Sequence, residues 1–199
     1  MGIKIATLGP KDTCHANALE HFIEFQEIRD AQIIYVEDFL YAAEILSQKK
    51  IDLIVQNISH PTAKDLCSMY RGKIFIVDSF IYPAKEMGIL HRKQSNHNLK
   101  LGLMPATEGY IENSKWLERV YEVSNPKVCE GLLRGDYDYG ITFLSYAHQY
   151  SDILEIYEAF GAPVDSAWIV YANKRAFDGK ILGKYQPSFY QELERGYKE

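Results

Sequence analysis

Thr13, Cys14 and His15 stand in a row directly behind the break Gly9-Pro10-Lys11-Asp12, where an apolar strand gives way to a helix. A hydroxyl, a thiol and an imidazole at a helix start sit beside free backbone N–H groups, which bind anions because donors and helix dipole point the same way. Gln56-Asn57-Ile58-Ser59-His60 ends another strand and supplies amide, hydroxyl and imidazole groups. Two more segments place a hydroxyl at a helix start: Met104-Pro105-Ala106-Thr107, with Thr107 as the expected cap, and Ser124-Asn125-Pro126-Lys127. Each reads first as plain capping. Taken with Thr13, helix starts in two lobes facing one cleft would hold a dianion from both sides.

Composition limits the alternatives. The chain has 199 residues, 47% hydrophobic and 25% charged, enough for a buried core in one large domain or two small lobes. A net charge of −5 argues against a nucleic-acid surface but permits a small anionic ligand. No apolar run reaches membrane-span length and the start has no signal-peptide pattern, so a cytoplasmic protein is expected. Cys14, Cys67 and Cys129 are widely spaced and read as reduced thiols. The six histidines show no tight ligand spacing, and neither a P-loop nor a dinucleotide glycine fingerprint is present, so neither metal nor cofactor is expected. Asp136-Tyr137-Asp138 reads as a solvated turn, and the 15 tyrosines could line an aromatic cleft.

These groups need a scaffold. Apolar runs near 3–8, 33–36, 52–57, 73–80, 87–92, 99–104, 120–124, 138–143, 153–158 and 167–172 read as strands. Helical periodicity fits near 13–28, 38–49, 61–70, 107–119, 126–134 and 144–150. The alternation predicts an α/β protein with open, mainly parallel sheets. The lysine- and asparagine-rich stretch 92–100 reads as a surface hairpin, and the tail 176–199 as a terminal helix with Tyr185, Phe189, Leu193 and Tyr197 on one face. Tyr82-Pro83 and Gly161-Ala162-Pro163 interrupt the pattern where a chain would cross between lobes. Two crossings make 83–161 an inserted second lobe, with 1–82 and 162–199 forming the first and a ligand cleft between them.

In order and spacing, over about residues 3–174, these segments resemble the prephenate dehydratase family. Its Gly-Pro-x-Gly-Thr-Phe-Ser loop looks like residues 9–15, keeping Gly9, Pro10 and Thr13 but replacing the second glycine, Phe and Ser. Its Ser-Thr-x-x-Ala helix start looks like Ser124 to Val128, and its Glu-Asn-Ser looks like the stretch around Asn57 to His60. The resemblance implies a two-lobed, periplasmic-binding-protein-like (type II) clamshell with flanking helices. The family's Thr-Arg-Phe, implicated in expelling the ring hydroxyl, reads here Ser166-Ala167-Trp168: the hydroxyl survives and the guanidinium is gone. No regulatory ACT domain is expected.

Loss of that arginine matters, because expelling hydroxide needs an acid or a strong electrostatic partner at the oxygen. A divergent branch, typified by the bacilysin-pathway prephenate decarboxylases of antibiotic biosynthesis, also lacks the Thr-Arg-Phe element. It resembles this chain better, and it implies cofactor-free loss of the ring carboxylate with the hydroxyl kept. The site expected from the resemblance joins Thr13, Cys14, Asn57, Ser59, Thr107, Ser124 and Asn125 for the carboxylates, with Lys85 as counter-ion. Ser166 orients the ring, Trp168 fills the space left by arginine, and His15 or His60 donates the proton. The alternatives are a dehydratase giving phenylpyruvate and a non-catalytic protein binding a small carboxylate. Pairing with a second copy is left open.

Overall fold

The computed structural model describes residues 2–95, 98–111 and 115–179. Its strands form two five-stranded sheets, ordered β2-β1-β3-β10-β4 and β7-β6-β8-β5-β9. The first comprises β1 (Lys4–Leu8), β2 (Gln32–Val36), β3 (Leu53–Asn57), β4 (Phe75–Pro83) and β10 (Asp165–Ala172). The second comprises β5 (Met87–Arg92), β6 (Lys100–Leu103), β7 (Glu118–Tyr121), β8 (Tyr139–Phe143) and β9 (Leu154–Ala159). The chain leaves the first sheet after β4 and returns to it as β10.

Both sheets are mixed rather than mainly parallel. β1 pairs in parallel with β2 and β3, and β6 with β7 and β8. The strands flanking the two crossings are antiparallel: β10 with β3 and β4, β5 with β8 and β9. The crossing segments lie side by side, with Ala84 N–H donating to Val164 O (2.9 Å) and Phe160 N–H to Met87 O (3.1 Å). Antiparallel pairing follows from this, since one segment leaves the lobe where the other enters.

The helices begin and end where side chains satisfy free backbone groups. Thr13 caps α1 (Cys14–Phe25), its Oγ1 accepting from Ala16 N at 3.2 Å, and Ala16, Leu19 and Phe22 form the buried face. Asp38 caps α2 (Phe39–Ser47) through Leu40 N and Tyr41 N. Ser124 caps α4 (Asn125–Arg134), which stops at Gly135 in the left-handed conformation (φ 82°). α3 (Leu66–Met69) and α5 (Ser145–Gln149) are single turns.

Each sheet has a core on both faces. In the first lobe, Ile54, Phe39, Leu46 and Tyr171 pack on one side, and Val55, Leu19, Phe22 and Trp168 on the other. In the second lobe, Leu90, Val128 and Leu132 oppose Ile89, Leu101, Trp116 and Ile141. Tyr137, expected in a solvated turn, is instead buried and donates its hydroxyl to Val128 O at 2.9 Å. Its ring needs glycine on both sides: a Cβ at Gly102 would sit 2.2 Å from it, and one at Gly131 would sit 2.1 Å from its oxygen.

Three expectations about elements change. Residues 107–119 do not form one α-helix: Pro105–Tyr110 is a 3-10 turn, and Glu118 already belongs to β7. The stretch 92–100 is not a hairpin, because β8 lies between β5 and β6. The 61–70 helix shrinks to α3. The expected terminal helix lies mostly outside the described residues, which end at 179.

Candidate functional site

At the end of β3, Asn57 turns the chain. Its Oδ1 accepts from both the backbone N (2.8 Å) and Oγ (2.6 Å) of Ser59, so the amide oxygen and the serine hydroxyl hold one another. The Asn57 amide N–H donates to Nε2 of His15 at 3.4 Å, which ties the α1 start to β3. A ring nitrogen that accepts here leaves the imidazole proton on Nδ1.

His15 packs into an aromatic cluster. Its ring lies 5.2 Å from Trp168, 5.4 Å from Phe39 and 6.3 Å from His60, with near-perpendicular planes for Trp168 and His60. Burial, with a smaller contribution from His60, pulls the pKa of His15 down to about 3. Burial also lowers that of His60, against the opposing pull of Asp38. His60 Nδ1 accepts from Thr62 N (3.3 Å) and lies 2.9 Å from Thr62 Oγ1. His15 is therefore neutral near pH 7, although an unperturbed imidazole there titrates near neutrality: burial removes the charge.

Trp168 is fully buried, donates its indole N–H to Tyr82 O at 3.0 Å and packs edge-on beneath His15. Ser166 is half-buried two positions earlier on β10, opposite Tyr82 of β4. Phe39 was missed; only a helix start after Asp38 marked it, and nothing in its spacing distinguishes a site wall from core.

The first crossing meets the α1 loop. Lys85 donates its backbone N–H to Cys14 Sγ at 3.4 Å and its ammonium to the Asp12 carbonyl. The same ammonium lies 5.3 Å from the centre of the Phe143 ring, so one lysine bridges both lobes. Burial raises the Cys14 thiol above its ordinary range although Lys85 pulls it down, which makes it a poor nucleophile at neutral pH. Asp12 has φ 72°, the left-handed region. It stands where the resembled family carries its second glycine, and Asp is one of the few side chains that tolerate this backbone.

On the second lobe, Ser124 Oγ accepts from Lys127 N at 3.3 Å, as a cap should. Thr142 Oγ1 donates to Asn125 O at 2.7 Å, fixing the α4 start to β8. Asn125 Oδ1 is buried and finds no hydrogen-bond partner among the described residues. Thr107 is not a cap: it lies inside the 3-10 turn, buried, and its hydroxyl donates to Met104 O at 2.9 Å. Its donor is already used, so it has none to offer a ligand.

Between the lobes lies a cavity of about 420 Å³, walled by Asp12 and Lys85 on one side and by Pro126, Glu130, Phe143 and Tyr146 on the other. Burial pushes the Tyr146 hydroxyl up to about 12, so it stays protonated at neutral pH. The cavity combines two ammonium groups, Lys11 and the bridging Lys85, with two carboxylates and aromatic faces. The structure thus gathers Thr13, Cys14, His15, Asn57, Ser59 and His60 around the α1 start, and brings Lys85 to the lobe boundary. Among the described residues, no group of three or more His, Cys, Asp or Glu is placed to hold a metal ion, and no helix is long and apolar enough to cross a membrane.

No protein-family model matches the chain, and no curated protein matches it. Solved structures do. Prephenate dehydratase from Arthrobacter aurescens, in complex with L-Phe, superimposes with a TM-score of 0.63 at 15% identity, over 98% of this chain and 72% of that one. Prephenate dehydratase from Staphylococcus aureus subsp. aureus Mu50 gives 0.61 at 12% identity, over 98% and 79%. The periplasmic VFT2 domain of Bordetella pertussis BvgS gives 0.53 at 12% identity, over 85% and 80%. At such identities the likeness establishes the fold: a two-lobed, periplasmic-binding-protein-like α/β clamshell.

Proposed function

We propose that the cleft takes a prephenate-like dicarboxylate and that the chain is a cofactor-free lyase, removing the ring carboxylate without aromatising the ring. The observation that carries this reading is the neutral His15 held against Trp168 and Phe39, beside a β10 that has Ala167 where the resembled dehydratases have arginine. Dehydration needs a proton or a fixed cation at the departing hydroxyl. A histidine with a pKa of about 3 supplies no imidazolium there, and alanine supplies no charge.

Decarboxylation asks for the opposite. Electrons from the breaking C–C bond flow into the cyclohexadiene, and CO₂ leaves more readily from a carboxylate that water solvates poorly. The aromatic cluster at His15 suits that end of the substrate. The pyruvyl carboxylate fits the α1 and α4 starts, with Lys85 as counter-ion and Ser166 orienting the ring. Since His60 Nδ1 accepts from Thr62, its Nε2–H is left to hold the water that supplies the ring carbon's proton.

A second reading, a non-catalytic protein binding a small carboxylate that also bears an ammonium, is favoured by the cavity's mixed lining: Asp12 and Glu130 accept an ammonium, and Lys11 and Lys85 meet a carboxylate. Purified protein incubated with prephenate at neutral pH, followed by NMR and mass spectrometry against a protein-free control, separates the readings. A non-aromatic product that has lost CO₂ and kept its hydroxyl is expected. Phenylpyruvate would indicate dehydration, and unchanged prephenate would favour binding alone.

A further inference from the structure

A second constellation lies in the second lobe, away from the cleft. His91 is on β5, and the sheet register sets it directly opposite Glu155 of β9. His91 Nδ1 lies 2.9 Å from Glu155 Oε1, and His91 Nε2 lies 3.0 Å from Ser95 Oγ. An ionised carboxylate only accepts, so the Nδ1 proton points to Glu155 and the Nε2 lone pair faces the serine hydroxyl. The ring is only 4% exposed and stacks on Tyr139 at 4.6 Å, which fixes its plane. Ser95 is half-buried in the turn that follows β5. β5 enters from the crossing at Met87, so His91 sits at the opposite end of the strand, roughly 13 Å further along at strand rise.

The geometry points to a serine nucleophile: we propose that Ser95, His91 and Glu155 form a triad that accepts the acyl group of a small ester. Both distances fall within the reach expected of a nucleophile, its base and the group that orients the base. In the first step Ser95 Oγ forms a bond to the ester carbonyl carbon while its proton passes to His91 Nε2. The C–O bond to the alcohol then breaks, and His91 returns that proton to the leaving alkoxide. Water, deprotonated by the same nitrogen, releases the carboxylic acid and restores Ser95. Glu155 is a positioning residue: it selects the ring tautomer and stabilises the transient imidazolium. An ordinary surface hydrogen bond would show the same contacts but no reactivity, so reactivity is the test.

The full chain, treated with an alkyl fluorophosphonate, is expected to gain one adduct that peptide mapping places on Ser95. Ser95→Ala abolishes that adduct with an unchanged circular dichroism spectrum. Glu155→Gln slows labelling at least tenfold, because the ring has lost the carboxylate that orients it, and Glu155→Asp restores part of the rate. No adduct on Ser95 in the folded wild-type chain overturns the proposal, as does labelling whose rate is unchanged in Glu155→Gln. Neither result bears on the cleft, whose turnover of prephenate is measured separately.

Discussion

The two helix starts that face the lobe boundary are built from opposite materials. At α1, Thr13 is buried, His15 is locked by Asn57, and the surroundings are Trp168, Phe39 and His60. At α4, Ser124 caps a half-exposed turn whose neighbours include the Lys127–Glu130 ion pair at 2.7 Å. Burial governs the first, so the His15 ring there is stripped of charge; the second lies at the surface with its ion pair in water. Under the proposed function, the carboxylate that leaves takes the dry end and the one that stays takes the wet end.

The comparison breaks most severely at Trp168. Trp168→Ala removes the floor under His15 and is expected to cost about 3–5 kcal/mol in urea denaturation, as large-to-small core changes do. An unchanged midpoint would mean that the dry end is not packed as described. Acid comes next. His15 in the unfolded chain takes up a proton near its ordinary 6.5, but in the folded chain only near 3. The unfolded state thus binds more protons in that window, and stability falls as pH drops from 6.5 towards 3. His15→Leu should flatten that slope in denaturation curves collected across the window, whereas no α4 substitution should.

The second lobe has its own tight point. Gly102→Ala drives a methyl into the Tyr137 ring and is expected to cost about 1–3 kcal/mol, read from the same titration. The smallest effects are the caps. Thr13→Ala and Ser124→Ala should each cost about 1 kcal/mol, the buried Thr13 more than Ser124. Equal values would erase the contrast between dry and wet helix starts.

Much of this was legible in advance. Strand-ending turns and capping residues are local signals, so Thr13 and Ser124 could be read as caps, and the structure places both so. Thr107 misled because Pro105 and a hydroxyl resemble a helix start, yet the turn tightens to 3-10 and the hydroxyl bonds back to Met104. The charge state of His15 was hidden, since its neighbours Phe39, His60 and Trp168 come from three distant segments. The same holds for His91 and Glu155, which only the β5–β9 register brings together. Tyr137 looked solvated between two aspartates, and only the glycines at 102 and 131 make room to bury it.

Prephenate labelled with ¹³C in its ring carboxylate, incubated with the protein at neutral pH, tests the central claim most directly. Both lyase reactions release the label as CO₂ or bicarbonate, so the ring protons decide. The account predicts label release with vinylic signals and a hydroxyl-bearing carbon retained, at a rate that falls when His15 or Lys85 is replaced. Aromatic proton signals of phenylpyruvate, or label release no faster than without protein, would contradict it.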